Sequence, residues 1–158
     1  MKIELSVNGE GKNMRNFLDV LGVAYYNKGT YNLAIDYYER VLKITVASLG
    51  ADHPDVASSY NNLGSIYANK GNYDLAIDYY ERSLKIKVAS LGEDHPEVAT
   101  CYNNLDDVYN SKGKYDLATD YCKRGLKIQV ASLGADHPSV AESYITIWVK
   151  CFIRKIVL

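Results

Sequence analysis

The sequence contains few of the residues on which most catalytic and metal sites depend. Its 158 residues include three histidines, three cysteines and one tryptophan. It has no Cys-x-x-Cys spacing, no glycine-rich phosphate loop, no Gly-x-Ser-x-Gly elbow and no His-Glu-x-x-His motif. A nucleophile triad needs a histidine beside a serine or cysteine, and all three histidines lie in one recurring tripeptide. We therefore predict a protein that is not an enzyme and that has no cofactor and no metal site.

The sequence also has no excess charge and no long apolar run. Eighteen Lys and Arg against 19 Asp and Glu give a formal net charge of −1, which provides no field for gathering nucleic acid or anionic lipid. Residues 1–12 lack the basic start and apolar run of a signal peptide. The apolar C-terminal stretch is interrupted by Lys150, Arg154 and Lys155. We predict no nucleic-acid partner, no membrane association and a reducing, cytoplasmic location.

The three cysteines are Cys101, Cys122 and Cys151. Cys101 stands where Ser59 stands 42 residues earlier, and Cys122 stands where Tyr80 stands. We interpret them as small buried substitutes, with a disulfide or metal role as the alternative.

One tripeptide recurs at a fixed interval of 42 residues: Asp52-His53-Pro54, Asp94-His95-Pro96 and Asp136-His137-Pro138. Residues 55–96 and 97–138 are identical at 27 of 42 aligned positions. A period of about 20 to 50 residues is typical of stacked supersecondary units rather than of one globular core. The chain is therefore predicted to be a repeat protein.

Each period contains two amphipathic helical patterns. In residues 55–96, apolar and small residues recur at steps of three and four, first over about 16 residues and then over about 19. Pro54 suits the first position of a helix, where its missing N–H is no loss. Gly71 can end the first helix in a left-handed conformation, and Asn72 can cap the second. Each repeat is thus predicted to be a helix hairpin.

The spacing Tyr60-x2-Leu63-Gly64-x2-Tyr67-x8-Ala76-x3-Tyr80 resembles the tetratricopeptide repeat. The 42-residue length and the junction Leu-Gly-x-Asp-His-Pro-x-Val-Ala are similar to the kinesin light chain type of this repeat. The resemblance implies an all-α, right-handed superhelical solenoid of antiparallel helix hairpins.

The repeat register divides the chain into three parts. These are a lead segment (1–12), three repeats (13–138) and a partial fourth repeat or capping helix (139–158). The repeats have boundaries at about 13–54, 55–96 and 97–138. An alternative for the last part is the incidental end of a broken open reading frame.

The Asp-His-Pro tripeptides could in principle supply metal ligands. Equivalent residues in a stack are separated by at least one helix layer of about 8–10 Å, whereas zinc ligands lie about 2.0–2.3 Å from the ion. We therefore interpret the tripeptide as a helix-start junction, in which Asp52 and its equivalents offer oxygens to free N–H groups.

A polar stripe along the first helix of each repeat is the candidate binding surface. The resemblance implies that this stripe lines a concave groove and that Asn62 and Asn104 hold a peptide backbone. An amide side chain suits this role because it both donates and accepts hydrogen bonds. The alternative is that these residues are merely solvated. The predicted groove residues are Ser58, Asn61, Asn62, Ser65, Asn69, Thr100, Asn103, Asn104, Asp107, Asn110 and Ser111.

These positions include no Lys or Arg, whereas Asp19, Asp106 and Asp107 lie at or near the stripe. We therefore predict a neutral or basic extended peptide of about nine residues, from about 10 Å per repeat and about 3.3 Å per peptide residue.

The predicted function is a protein-interaction module that acts as a scaffold or adaptor. The alternative is a fragment of a larger kinesin-light-chain-like or signalling protein whose repeats serve assembly or regulation. Apolar residues on an incompletely capped end also predict end-to-end self-association.

Overall fold

The computed structural model describes the backbone of residues 2–157 and the side chains of residues 11–149 and 152. Over that backbone the chain forms seven α-helices and no strand, which confirms the predicted all-α fold. The helices are α1 (Lys2–Asn27), α2 (Tyr31–Leu49), α3 (Pro54–Asn69), α4 (Tyr73–Leu91), α5 (Pro96–Ser111), α6 (Tyr115–Leu133) and α7 (Pro138–Val157).

The helices repeat the period of the sequence. The odd-numbered helices α3 and α5 have 16 residues each, and α2, α4 and α6 have 19 each, as predicted. A proline is the first residue of α3, α5 and α7. Gly71, which follows the C-cap residue Lys70 of α3, adopts φ +79°, the left-handed conformation that glycine adopts without strain. Residues 2–12, predicted as a lead segment, belong to the 26-residue helix α1.

Histidine, and not aspartate, caps the helices at the junctions. His53 Nδ1 accepts a hydrogen bond from the Asp55 backbone N–H at 3.1 Å. His95 and His137 make the same bond at 3.2 Å to the residue two positions on. Asp52 is exposed. The prediction that the aspartate oxygens cap these helices was therefore wrong: the imidazole reaches the N–H group because the residue before proline is extended, with φ −74° and ψ 142° at His53.

The residues group into two compact units, 1–79 and 80–158. The core of the first unit contains Ala34, Tyr38, Leu63 and Ile66, all at most 5% exposed. The core of the second contains Val98, Ala99 and Ile128, against which Leu84, Val88 and Tyr102 pack. Leu63 is a position of the repeat spacing given above, whereas Ile66, Ala99 and Ile128 are core residues outside that spacing.

A glycine allows close helix contact in the first hairpin. A Cβ atom on Gly22 would lie 2.8 Å from the Tyr38 ring, so only glycine fits there opposite tyrosine. The position equivalent to Gly22 is Asp106 in the third repeat, and the position equivalent to Tyr38 is Cys122. Asp106 and Cys122 are 4% and 5% exposed. Compared with the first repeat, the third has a larger residue at the first of these positions and a smaller residue at the second. Asp106 is a buried residue rather than part of an exposed stripe.

A stacked tyrosine pair recurs in every hairpin. The ring centroids are 5.3 Å apart in Tyr25–Tyr37, 5.5 Å in Tyr67–Tyr79 and 5.4 Å in Tyr109–Tyr121, and the planes are within 10° of parallel. Such pairs contribute about 0.5–1.5 kcal/mol beyond their buried area. The many tyrosines of the sequence thus include a repeated packing element.

Two of the cysteines are placed as predicted. Cys101 and Cys122 are buried free thiols, and burial raises the pKa of the Cys101 thiol. The side chain of Cys151 lies outside the described residues. Across the helices that the structure describes, none combines the length and the apolar character needed to cross a membrane.

Candidate functional site

A cleft of about 320 Å³ opens in the first unit, where α1, α2 and α3 meet. Helix α1 contributes Arg15, Asp19 and Val23; helix α2 contributes Tyr38, Val41 and Thr45; helix α3 contributes Asp55, Ser58, Ser59 and Asn62. Val23, Tyr38 and Val41 provide apolar lining, and the other lining residues include two carboxylates, a guanidinium and an amide. The cleft can therefore accept both an apolar stem and a polar or charged group.

The predicted residues of α3 divide between this cleft and a second polar contact. Ser58 and Asn62 line the cleft. Asn69 Nδ2 donates to the Tyr26 hydroxyl at 2.8 Å, and Ser65 Oγ lies 3.3 Å from the same hydroxyl. Ser65 and Asn69 thus join α3 to α1, and Asn61 is not among the residues that line the cleft.

The predicted residues of α5 have mixed surroundings. Thr100 and Ser111 hydroxyls donate to carbonyl oxygens of their own helix, at 3.3 Å and 2.9 Å. Asn103 faces α6, because its Oδ1 lies 2.7 Å from the point where a Cβ on Gly125 would stand. Asn104 and Asn110 are half-buried, and Asp107 is exposed. The glycine inside α6 therefore makes room for the Asn103 amide.

Arg15 is a cleft residue that the sequence analysis missed. Its Nη1 lies 2.8 Å from Asp55 Oδ2, in an ion pair that links α1 to α3. Its Nε is a buried side-chain atom without a hydrogen-bond partner among the described residues. Arg15 is not one of the predicted groove positions, which include no Lys or Arg. The available sequence signal is the i, i+4 spacing of Arg15 and Asp19, which places both on one face of α1.

Asp19 is the second charged group on that face of α1. Burial raises the pKa of its carboxyl group, the Arg15 guanidinium lowers it and the Asp55 carboxylate raises it. With Arg15 paired to Asp55, the three charged groups of the cleft carry a net charge of about −1 at neutral pH.

The acidic position at the start of the odd-numbered helices finds a different partner in each repeat. Asp55 pairs with Arg15 of α1. Its equivalent Glu97 pairs with Lys87 of α4, whose Nζ lies 3.2 Å from Glu97 Oε2 and whose side chain is 8% exposed. At the third junction the equivalent residue is the uncharged Ser139, and Gln129, the equivalent of Lys87, accepts a hydrogen bond from Ser143 Oγ at 2.7 Å.

Among the described residues no group of three or more His, Cys, Asp or Glu side chains is arranged to hold a metal ion. The three junction histidines instead accept backbone hydrogen bonds, so their Nδ1 atoms are already used.

The hairpin period, the paired helices and the polar cleft define a helix-hairpin repeat protein. Family comparison identifies the class further: the tetratricopeptide repeat models match residues 14–87 and 55–118, and another model of the same repeat matches residues 98–139. The chain belongs to the tetratricopeptide repeat family, as the sequence pattern indicated.

Solved structures agree with this assignment. BtubC (BKLC) from P. vanneervenii superposes with a TM-score of 0.77 at 26% identity, over 87% of this chain and 56% of that one. A Podosopora anserina protein described as a kinesin light chain with nearly identical TPR-like repeats gives 0.74 at 23% identity, over 85% and 64%. The N-terminal domain of stress-induced protein-1 from C. elegans gives 0.64 at 12% identity, over 87% and 96%.

These similarities include the kinesin-light-chain-like repeat that the 42-residue period indicated. The chain spans between about half and two thirds of the length of the first two of these structures. A comparison with curated proteins finds no match.

Proposed function

We propose that the chain is a scaffold or adaptor module that binds an extended peptide segment on the polar face of its odd-numbered helices. The family is typically a non-enzymatic interaction scaffold, and its members bind protein partners. The observation that carries the finer proposal is the cleft of the first unit, which brings Asn62 and Ser58 together with three charged side chains. The Asn62 side-chain amide can both donate a hydrogen bond to a peptide group and accept one from it.

An array of nine-residue peptides tests this function with the purified chain. Combined substitution of Asn62→Ala and Asn104→Ala should weaken binding by about tenfold or more, because two peptide-type hydrogen bonds are lost at about 0.5–1.5 kcal/mol each. Thr119→Ala, at a half-buried site on α6 where the hydroxyl bonds only to its own helix, is the matched control. Binding only to strongly acidic peptides would contradict the predicted preference for neutral or basic segments.

The alternative function is that of a fragment of a larger kinesin-light-chain-like or signalling protein whose repeats serve assembly or regulation. The partial coverage of BtubC and of the Podosopora anserina protein supports it. A pull-down with a motor heavy chain tests motor linkage directly, since retention on that bait distinguishes assembly from peptide capture alone. A cytoplasmic location belongs to both proposals, and imaging of the tagged chain in cells tests it.

We also propose that copies of the chain associate end to end. Helix α7 exposes Tyr144, Ile145, Trp148, Val149 and Phe152, and the rings of Trp148 and Phe152 stack at 5.2 Å. On α1, Met14, Phe17 and Val20 are each more than half exposed. A second copy could cover the α7 surface with α1, in a heterologous contact between unlike faces.

Sedimentation velocity over a concentration series tests this association. Trp148→Glu should keep the chain monomeric at concentrations where the wild type associates, because a charge replaces the centre of the apolar face. Leu117→Glu, at an exposed apolar site on α6, should leave association unchanged. A wild type that is monomeric throughout would contradict the proposal.

A further inference from the structure

The cleft of the first unit has the chemistry of a receptor for one basic side chain. We propose that it binds the side chain of a lysine in the partner segment, with the ammonium group on the Asp19 carboxylate. This inference rests on the peptide-binding function proposed above and names the residue that the first unit selects.

The charges of the cleft favour a cation. Arg15 is paired with Asp55 at 2.8 Å, whereas Asp19 lines the cleft beside the same guanidinium, whose charge lowers the pKa of its carboxyl group. The residues equivalent to Asp19 in the next two repeats are Asn61 and Asn103. Of these three equivalent positions, only that of the first repeat has a carboxylate. An acidic side chain of a ligand would be repelled by the net negative charge of the cleft.

The size and walls of the cleft fit a single long side chain. Its volume of about 320 Å³ lies at the lower end of the range of about 300–1,000 Å³ for ligand pockets. Val23, Tyr38 and Val41 supply apolar surface beside the charged groups. Lysine combines an apolar stem with a compact charged end, and such side chains lie along apolar surface in this way.

The second unit contains a lysine at the equivalent position. Lys87 stands 42 residues after Thr45, which lines the cleft of the first unit. The Lys87 ammonium is nearly buried and lies 3.2 Å from Glu97, the equivalent of Asp55. This fold therefore accommodates a desolvated lysine ammonium beside an acidic residue at this register. In the first repeat this position has the short side chain of Thr45, and Arg15 of α1 supplies the cation beside Asp55. The space that the Lys87 side chain fills in the second unit is therefore open to a lysine of a partner, whose ammonium can reach Asp19.

Desolvation of Asp19 adds to the favourable effect of a bound cation. A half-buried carboxylate is poorly solvated, as the direction of its pKa indicates, and a partner charge restores the lost interaction. A lysine ammonium is preferred to a neutral group of the same length, because only the cation gains from this pairing.

Peptide pools with one fixed central residue test the inference. The pools contain nine-residue peptides with lysine, acetyl-lysine, norleucine or glutamate at the centre and uncharged residues elsewhere, and binding is measured by fluorescence anisotropy. The lysine pool should bind about tenfold more tightly than the acetyl-lysine pool, since only the lysine ammonium can form a charge-assisted hydrogen bond with Asp19. Asp19→Asn should reduce that ratio to below about twofold.

Two further variants distinguish lysine binding at Asp19 from non-specific electrostatic attraction to the protein. Asp36→Asn removes an exposed carboxylate of α2 that pairs with Arg40, and it should leave the lysine preference unchanged. Thr45→Lys introduces the side chain that the second unit has at this register, so the cleft becomes occupied from within and the preference should disappear. Retention of the preference in Asp19→Asn or Thr45→Lys would overturn the inference.

The results also distinguish this inference from the proposed function. Equal binding of all four pools, weakened by Asn62→Ala, would leave peptide binding in place and refute lysine selection. Binding of no pool would refute both.

Discussion

At the residue scale, the junction histidines illustrate how a recurring motif can have a structural role in place of a chemical one. Each histidine uses Nδ1 to accept the N–H group of the residue two positions on, at 3.1–3.2 Å. Proline at the next position fixes the start of the helix and cannot donate. The tripeptide therefore begins a helix with an imidazole cap, and its aspartate has no part in that bond.

Substitution of the cap should distinguish the two polar residues of the tripeptide. His53→Ala should lower the free energy of unfolding by about 0.5–2 kcal/mol. His53→Asn should lower it much less, because asparagine is a good N-cap residue. Asp52→Ala should change the free energy by less than about 0.5 kcal/mol, as expected for an exposed site. Urea unfolding followed by circular dichroism measures all three. A larger loss for Asp52→Ala than for His53→Ala would restore the aspartate as the cap.

A second residue-scale relation links Asp106 on α5 to Cys122 on α6. Their equivalents in the first repeat are Gly22 and Tyr38, whose close approach leaves no room for a Cβ. Cys122→Tyr should therefore destabilise the chain by about 1–3 kcal/mol through overpacking. The added substitution Asp106→Gly should recover most of the loss.

A double-mutant cycle measures this relation from the four free energies of unfolding. We expect a coupling energy of about 1 kcal/mol or more, since contacting residues show coupling of about 0.5–3 kcal/mol. Additive effects of the two substitutions would mean that the paired exchange has no compensating role.

At the element scale, the sequence predicted the helices well and their side-chain partners less well. The periodicity gave the 16- and 19-residue helices, because apolar spacing and glycine or proline boundaries are local signals. The Arg15–Asp55 pair joins residues 40 positions apart, and no local pattern indicates such a contact. The groove residues likewise share one helix face in the sequence, yet Asn103 packs against Gly125 while Asn62 lines the cleft. Tertiary packing therefore determines which of the polar groove residues remain accessible to a ligand.

Three tyrosines of the helix hairpins predict that the stability of the chain falls at alkaline pH. Burial is the main cause that raises the pKa of Tyr38, Tyr67 and Tyr121 above 10.0. Above pH 10 the unfolded chain loses these protons first, so stability is fully present below pH 10 and falls as the pH rises further. Melting temperatures measured from pH 9 to 12 should show this fall.

Tyr67→Phe tests the assignment of the alkaline effect. This variant removes one of the three titrating groups and keeps a ring to stack on Tyr79. Its melting temperature should therefore fall less steeply above pH 10 than that of the wild type. Parallel profiles would show that buried tyrosine ionisation does not limit alkaline stability.

At the scale of the whole molecule, the repeat register explains why similar sequences can have different surfaces. Repeats of 42 residues keep the same helices and tyrosine pairs. The junction position changes from Asp55, paired with Arg15, to Glu97, paired with Lys87, and then to the uncharged Ser139, whose backbone N–H donates to His137 Nδ1. A constant scaffold with variable polar positions is suited to a module that recognises other proteins.

The most direct test of the peptide-binding account is a map of backbone amide shifts on titration with the best nine-residue peptide from the array. We predict that the largest changes cluster at Arg15, Asp19, Ser58 and Asn62, and that Asn62→Ala reduces the affinity. Largest changes on the exposed face of α7, around Ile145 and Trp148, with no response at the cleft, would contradict the account.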